Sequence, residues 1–160
     1  MAFYGVASIE GVLERQYVIV MFVTEDIRAT LYTILSTDAL LQTHGLLGVY
    51  QSQARDDAQF PYIVIGDGMT QGAVMPWDTI PRKFGFDVRL MINIWDLLLN
   101  GDTYLYLIED VYRLLHHPVD ELPLTVYHSV DCYCEWMTNV PLPRERVRNI
   151  PIRLRLLQQS

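Results

Sequence analysis

The sequence predicts an α+β domain: a mainly antiparallel sheet of about five strands with two helices packed on one face. Three observations lead there. From Phe84 to Ile94 the chain alternates, with Phe84, Phe86, Val88, Leu90, Ile92 and Ile94 on one parity and Gly85, Asp87, Arg89, Met91 and Asn93 on the other. A period of two with one apolar side describes a long strand whose one face is covered. Two other segments carry the helical period instead: Ile27, Leu31, Ile34 and Leu35, then Tyr104, Leu107, Ile108, Val111 and Leu115. Alternation returns in Leu124–Trp136 and in Ile150, Ile152, Leu154 and Leu156. The element order is therefore α-β-β-β-α-β-β, in which helix stripes and strand faces bury one another.

Each element has a local reason. Residues 1–24 show no clear period and read as an N-terminal extension or arm, with a β-branched, aromatic stretch at Tyr17–Val23. Thr24 is the expected N-cap of the first helix, and Glu25-Asp26 put negative charge where its dipole favours it. Residues 25–160 form one domain. A short helical stretch over Asp38–Gln42 stops before His44-Gly45, and Leu46–Ser52 supplies a short strand. Polar Ala54–Gln59 connects to a strand at Tyr62–Ile65, placed just past Pro61. Gly66 to about Lys83, with Gly68, Gly72, Pro76 and Pro81, reads as a long loop, which a compact domain keeps mainly for function. Asp102 is the expected N-cap of the second helix. His116-His117 complement its C-terminal dipole and Pro118 stops it. In Leu124–Trp136, residues Val126, Val130, Cys132, Cys134 and Trp136 share one parity. In the last strand Arg146 and Arg148 fall on the apolar parity, so either the strand starts after them or a bulge resets the register.

Composition narrows the function. The chain has 160 residues, enough for one domain with a core that needs no disulfide or metal. It is 51% apolar and 19% charged, against about 25% charged for an average soluble domain. Surplus apolar surface of this kind is commonly covered by another subunit. The net charge of −7 argues against non-specific binding to a phosphate backbone. Eleven of the twelve basic residues are Arg, the cation enriched at interfaces where Lys is depleted. Five of them, Arg144, Arg146, Arg148, Arg153 and Arg155, lie in the last seventeen residues. They read either as a solvated edge that blunts a terminal strand or as a subunit interface meeting acidic groups of a neighbouring copy. Two cysteines without a disulfide framework suit a reducing compartment. The apolar run Tyr17–Val23 is only seven residues long, too short to span a bilayer. The expectation is a protein made in the cytoplasm, with no membrane partner.

Candidate chemistry is sparse. Gly66-x-Gly68 with Gly72 fits neither the dinucleotide nor the P-loop spacing. Cys132 and Cys134, which share strand parity with His128, are separated by one residue, short of zinc-pair spacing, and the pair reads as buried thiols on a core face. Asp110, His116, His117, Asp120 and Glu121 offer acid-base groups without a nucleophile placed in a recognisable motif. No catalytic residue, cofactor or metal is expected. In the long loop, Trp77 and Arg82, with Asp78, Thr79 and Lys83, either tuck back on the domain or anchor a partner.

One ordered set of features remains: Leu31 and Leu35, Val49-Tyr50, Ala58, Phe60-Pro61-Tyr62, Gly66, Trp77-Asp78-Thr79, Ile94-Trp95 and Gly101. In this order they resemble the tail completion, or head-to-tail joining, proteins of long-tailed bacteriophages. The likeness covers residues from about 25 to the C-terminus and is strongest between 58 and 115. The extra 24 or so residues at the start depart from the pattern. The resemblance implies a structural virion protein that forms a ring, usually of six copies, at the head-proximal end of the tail. Such a ring ends tail-tube growth, docks the head connector and lets DNA pass through its lumen without sequence-specific binding. If acidic side chains line that lumen, they repel the duplex and let it slide. The alternatives are a connector-side adaptor and, from another class, a small α+β enzyme or ligand-binding domain.

Overall fold

The computed structural model describes residues 9–66, 69–76, 84–99, 101–125 and 127–158, with backbone alone over 9–22, 69–76, 84–86 and at 158. The elements are α1 (Ile9–Thr37), α2 (Ala39–Thr43), β1 (Gly48–Gln51), β2 (Tyr62–Ile65), β3 (Met69–Pro76), β4 (Phe84–Leu97), α3 (Thr103–Leu115), β5 (Tyr127–Cys134), β6 (Thr138–Pro141) and β7 (Glu145–Gln158). The α+β class holds, and the sheet is antiparallel except where β1 runs parallel to β2.

Two 14-residue strands, β4 and β7, pair along almost their whole length, from Gly85 opposite Leu157 to Leu97 opposite Glu145. Everything else in the sheet flanks this ladder. On the β4 side, β2 pairs with Ile92–Trp95 and β3 with Phe84–Arg89. On the β7 side, β5 pairs with Ile152–Gln158 and β6 with Arg146–Asn149. Between β2 and β3 the chain passes Gly66, whose N–H donates to the Met91 carbonyl at 2.8 Å. A Cβ at Gly66 would lie 3.2 Å from that same oxygen, so glycine permits the close approach.

The predicted core is observed where side chains are described; those of Phe84, Phe86 and Val126 lie outside them. Val88, Leu90, Ile92 and Ile94 of β4 are buried with Ile150, Ile152, Leu154 and Leu156 of β7. Against them lie Ile27, Leu31 and Leu35 of α1, and Tyr104, Leu107, Ile108, Val111 and Leu115 of α3. Cys132 and Cys134 join the same cluster, where burial pushes both thiols up to about 12. The second helix is held to the third by polar contacts. Asp38 caps α2 by accepting from the Leu41 N–H at 3.0 Å and accepts from Arg113 of α3 at 2.9 and 3.0 Å. Burial works against ionisation of Asp38, but the Leu41 N–H and the Arg113 guanidinium prevail and hold its carboxyl below the ordinary 3.8. The helix then stops at Gly45, with φ of 93°.

The structure departs from the sequence reading at five places. Thr24 is not an N-cap and Tyr17–Val23 is not a strand, because α1 runs through both. Val23 is buried four residues before Ile27, so the helical stripe extends a turn upstream and tertiary packing overrides β propensity. Asp26 accepts from the Thr125 N–H and hydroxyl at 3.0 and 2.8 Å, tying α1 to the segment before β5. Part of the expected long loop is β3, which pairs the half of β4 that β2 leaves open. Asp102 precedes α3 but makes no side-chain cap; its carbonyl accepts from Leu105 and Tyr106 instead. Val130 and Trp136 are exposed, because a register shift between Ser129 and Asp131 separates Val130 from the Cys132–Cys134 parity and the strand ends at Cys134. Finally, β7 runs unbroken through Arg146 and Arg148, so neither a late start nor a bulge is needed there.

Candidate assembly surfaces

The five C-terminal arginines separate onto different surfaces. Arg146 and Arg148 stand opposite Asp96 and Ile94, on the face that carries the core. Asp96 is fully buried; its Oδ1 accepts from the Leu97 N–H at 2.8 Å and its Oδ2 from Arg146 at 3.4 Å. Arg146 also donates to the Gly101 carbonyl at 2.7 Å and stacks its guanidinium 4.1 Å from the Tyr104 ring centroid. Burial pushes the Tyr104 phenol up, opposed by the positive charges of Arg148 and Arg146. This cluster seals the end of the core where β4 turns into α3.

Arg153 and Arg155 lie on the opposite face of the sheet, where both pair with Asp87. The hydrogen bond that Arg153 donates to the Asp87 carboxylate favours the charged form of Arg153. Arg89 on the same face pairs with Glu135 at 3.2 Å. Farther along that face charge gives way to aromatic rings. Tyr62 stacks on Trp95 with centroids 6.0 Å apart, and Tyr50 and Phe60 approach Tyr62 at 5.8 and 5.1 Å. The face is half-buried along most of its length, though Val64, Val147 and Pro151 are buried. Arg144, in the turn between β6 and β7, is exposed. Thus the basic cluster is not one patch: the structure brings Arg146 and Arg148 together at a buried seam and Arg153 and Arg155 at Asp87. The alternation of β7 carried that signal, since Arg153 and Arg155 oppose the parity of Arg146 and Arg148.

Trp77, Asp78, Thr79, Arg82 and Lys83 lie outside the described residues. The apolar surplus inferred from composition is visible elsewhere. Leu98, Leu99, Leu105 and Tyr106 flank the turn between β4 and α3 and are all exposed, Leu99 at 96%.

The histidines act as struts. His44 bonds Asp110 of α3 and stacks on Tyr106 at 5.1 Å. His116 accepts from the Cys134 N–H at 3.2 Å through Nδ1, so it links α3 to β5 and is not simply a cation placed on the helix dipole. His128 faces away from the two buried thiols and bonds Glu121 at 2.9 Å.

The result is a layered α+β domain with an arginine–carboxylate seam at the end of its core and exposed aliphatic side chains at the turn between β4 and α3. No protein-family model and no curated protein matches the sequence. Among solved structures, the chain is similar to one in the virion of a native gene transfer agent particle. The TM-score is 0.68 with 17% identity, covering 81% of this chain and 93% of that chain. At this identity the likeness is one of fold.

Proposed function

We propose that this chain is a structural virion protein of a tailed, phage-like particle, acting as a tail completion ring at the head-proximal end of the tail. The observation that carries the reading is the shared fold over 93% of a chain from a virion particle. The ordered set from Phe60-Pro61-Tyr62 through Trp77-Asp78-Thr79 to Ile94-Trp95 and Gly101 points to the same role independently. In this reading copies of the chain, usually six in such rings, join through their exposed surfaces. The residues upstream of Val23, which itself packs in the core, reach a neighbour as an arm. The segment bearing Trp77, Asp78, Thr79, Arg82 and Lys83 meets the tail tube or the head connector. DNA crosses the lumen without sequence readout, and the ring works by surface complementarity without bond-making chemistry.

The test has two arms. Native mass of the purified chain at micromolar concentration is expected to give a closed oligomer. In a particle-assembly system lacking the chain, heads and tails are expected to accumulate unjoined, and adding the chain joins them. A chain that stays monomeric and leaves joining unaffected ends the proposal. Joining by a Trp77→Ala, Arg82→Ala double variant at the wild-type level removes that segment from it.

A further inference from the structure

Helix α1 changes character along one of its faces. Val23, Ile27, Leu31 and Leu35 recur every four residues and are buried in the core. The line opposite them on the helix runs through Glu25, Ala29 and Thr33, all exposed. Continued upstream at the same three- and four-residue steps, that outer line reaches Phe22 and Val18. Tyr17 to Phe22 are consecutive apolar residues in a helix, so apolar positions there occupy its whole circumference. A sheet face covers one stripe of a helix, whereas a turn that is apolar all round belongs in a buried setting.

The course of α1 through the fold decides which surface this segment can reach. Asp26 is tied to Thr125, just before β5, and β5 begins opposite Gln158, at the end of the sheet where β4 starts. From there the chain leads to the other end, where Gly45 lies beside Thr103 at the start of α3. Ile9 to Phe22, roughly 21 Å of helix, therefore continue away from that other end. The exposed side chains of Leu98, Leu99, Leu105 and Tyr106 lie beyond the finish of β4, a full strand length from where β4 starts. Within one protomer the apolar turn of helix and the apolar patch are thus at opposite ends.

We propose that Tyr17–Phe22 of one copy docks on the Leu98–Leu99–Leu105–Tyr106 patch of the next, a contact that rests on the ring reading and names the site its arm takes. Covering six such side chains, two of them aromatic, removes on the order of 600 Å² of the helix from water. A specific interface needs roughly 500 Å² from each partner, so the contact is large enough to hold. Charge matches at its border as well. Arg144, whose carbonyl accepts from the Leu98 N–H at 3.2 Å, and Asp102 are both exposed beside the patch. Glu14 and Arg15 bring the same two signs just ahead of the apolar run. A helix at one end of a protomer entering a patch at the other end is a heterologous contact, which repeats from copy to copy and with closure yields a ring.

The experiment follows self-association of the full chain by native mass and sedimentation. Leu99→Asp and Val18→Asp are each expected to weaken it at least about tenfold, the scale of one apolar side chain kept out of an interface. Leu99 is 96% exposed, and an unchanged far-ultraviolet spectrum verifies that each variant folds. A second measurement does not depend on weakening. In a chain carrying Val18→Cys and Leu99→Cys, oxidation by diamide is expected to link copies into a covalent ladder, whereas neither single variant goes beyond dimers. Cys132 and Cys134 are buried and stay out of this reaction. A bond formed within one chain, or a closed oligomer that gives no ladder and ignores both aspartates, overturns the docking while the ring reading stands. A wild-type chain that is monomeric throughout overturns the docking, and if head-to-tail joining is also unaffected by the chain, the ring reading falls with it.

Discussion

Replacing Asp96 by alanine removes a fully buried carboxylate that accepts from the Leu97 N–H and from Arg146. Its partner then keeps the Gly101 carbonyl and the Tyr104 ring but faces an apolar methyl where a negative charge stood. Breaking a buried pair by deleting one member costs about 3–5 kcal/mol, mostly because the survivor is left desolvated. For a chain of this length that lowers the melting temperature by about 6–20 °C. Arg146→Ala is expected to cost less, because Asp96 keeps the Leu97 N–H as a donor. Arg155→Ala, which loses only a 3.8 Å contact between Asp87 and a half-exposed guanidinium, is expected to cost less than about 1 kcal/mol. Urea unfolding of the three variants, followed by tryptophan fluorescence, measures the differences. Asp96→Ala within 1 kcal/mol of wild type would refute the view that Arg146 serves the fold of its own protomer.

Two further perturbations follow from groups with shifted ionisation. Asp38→Ala should cost about 1–2 kcal/mol at neutral pH, since it removes the α2 cap and the anchor of Arg113. Because the Asp38 carboxyl is held below 3.8 in the folded chain, its contribution is present above that value and fades as the pH falls through the depressed one. Wild type and variant should therefore converge in acid, which denaturant titrations at several pH values check. Cys132 and Cys134, pushed up to about 12, should resist a disulfide reagent at pH 8 until the chain unfolds. Their raised values favour the folded state below the ordinary thiol range and withdraw that support as the pH climbs from about 9 towards 12. Rapid labelling of the native chain would contradict their place in the core.

What the sequence disclosed follows from which interactions are local. The even-numbered apolar residues of β4 and the stripe of α3 announce their own periods, because each element repeats its environment along its length. Val23 belongs to the α1 stripe, yet its β-branched neighbours point to a strand, and only packing on the sheet decides between them. Strand β3 was hidden because what orders it is the unpaired edge of β4, a property of another segment. The shift at Ser129 was hidden for a similar reason: one extra residue moves Val130 off the core parity without altering composition. The open cavity lined by Val119, Asp120 and Asp131 combines that shift with the turn after α3, so no single stretch of sequence contains it.

The division of the arginines connects fold to assembly. Their clustering in the last strand first suggests a single basic interface, yet a strand sends alternate residues to opposite faces, so a run of arginines cannot act as one patch. Arg146 and Arg148 are committed to the seam by Asp96 and Tyr104, and Arg153 and Arg155 to Asp87. These internal contacts spend most of the positive charge inside the protomer. The remainder of the described surface is richer in carboxylates, so identical copies meeting at random would repel. Any association of copies would then need specific contacts that overcome this repulsion, which selects one docking geometry over many. Charge complementarity of this kind adds selectivity more than affinity.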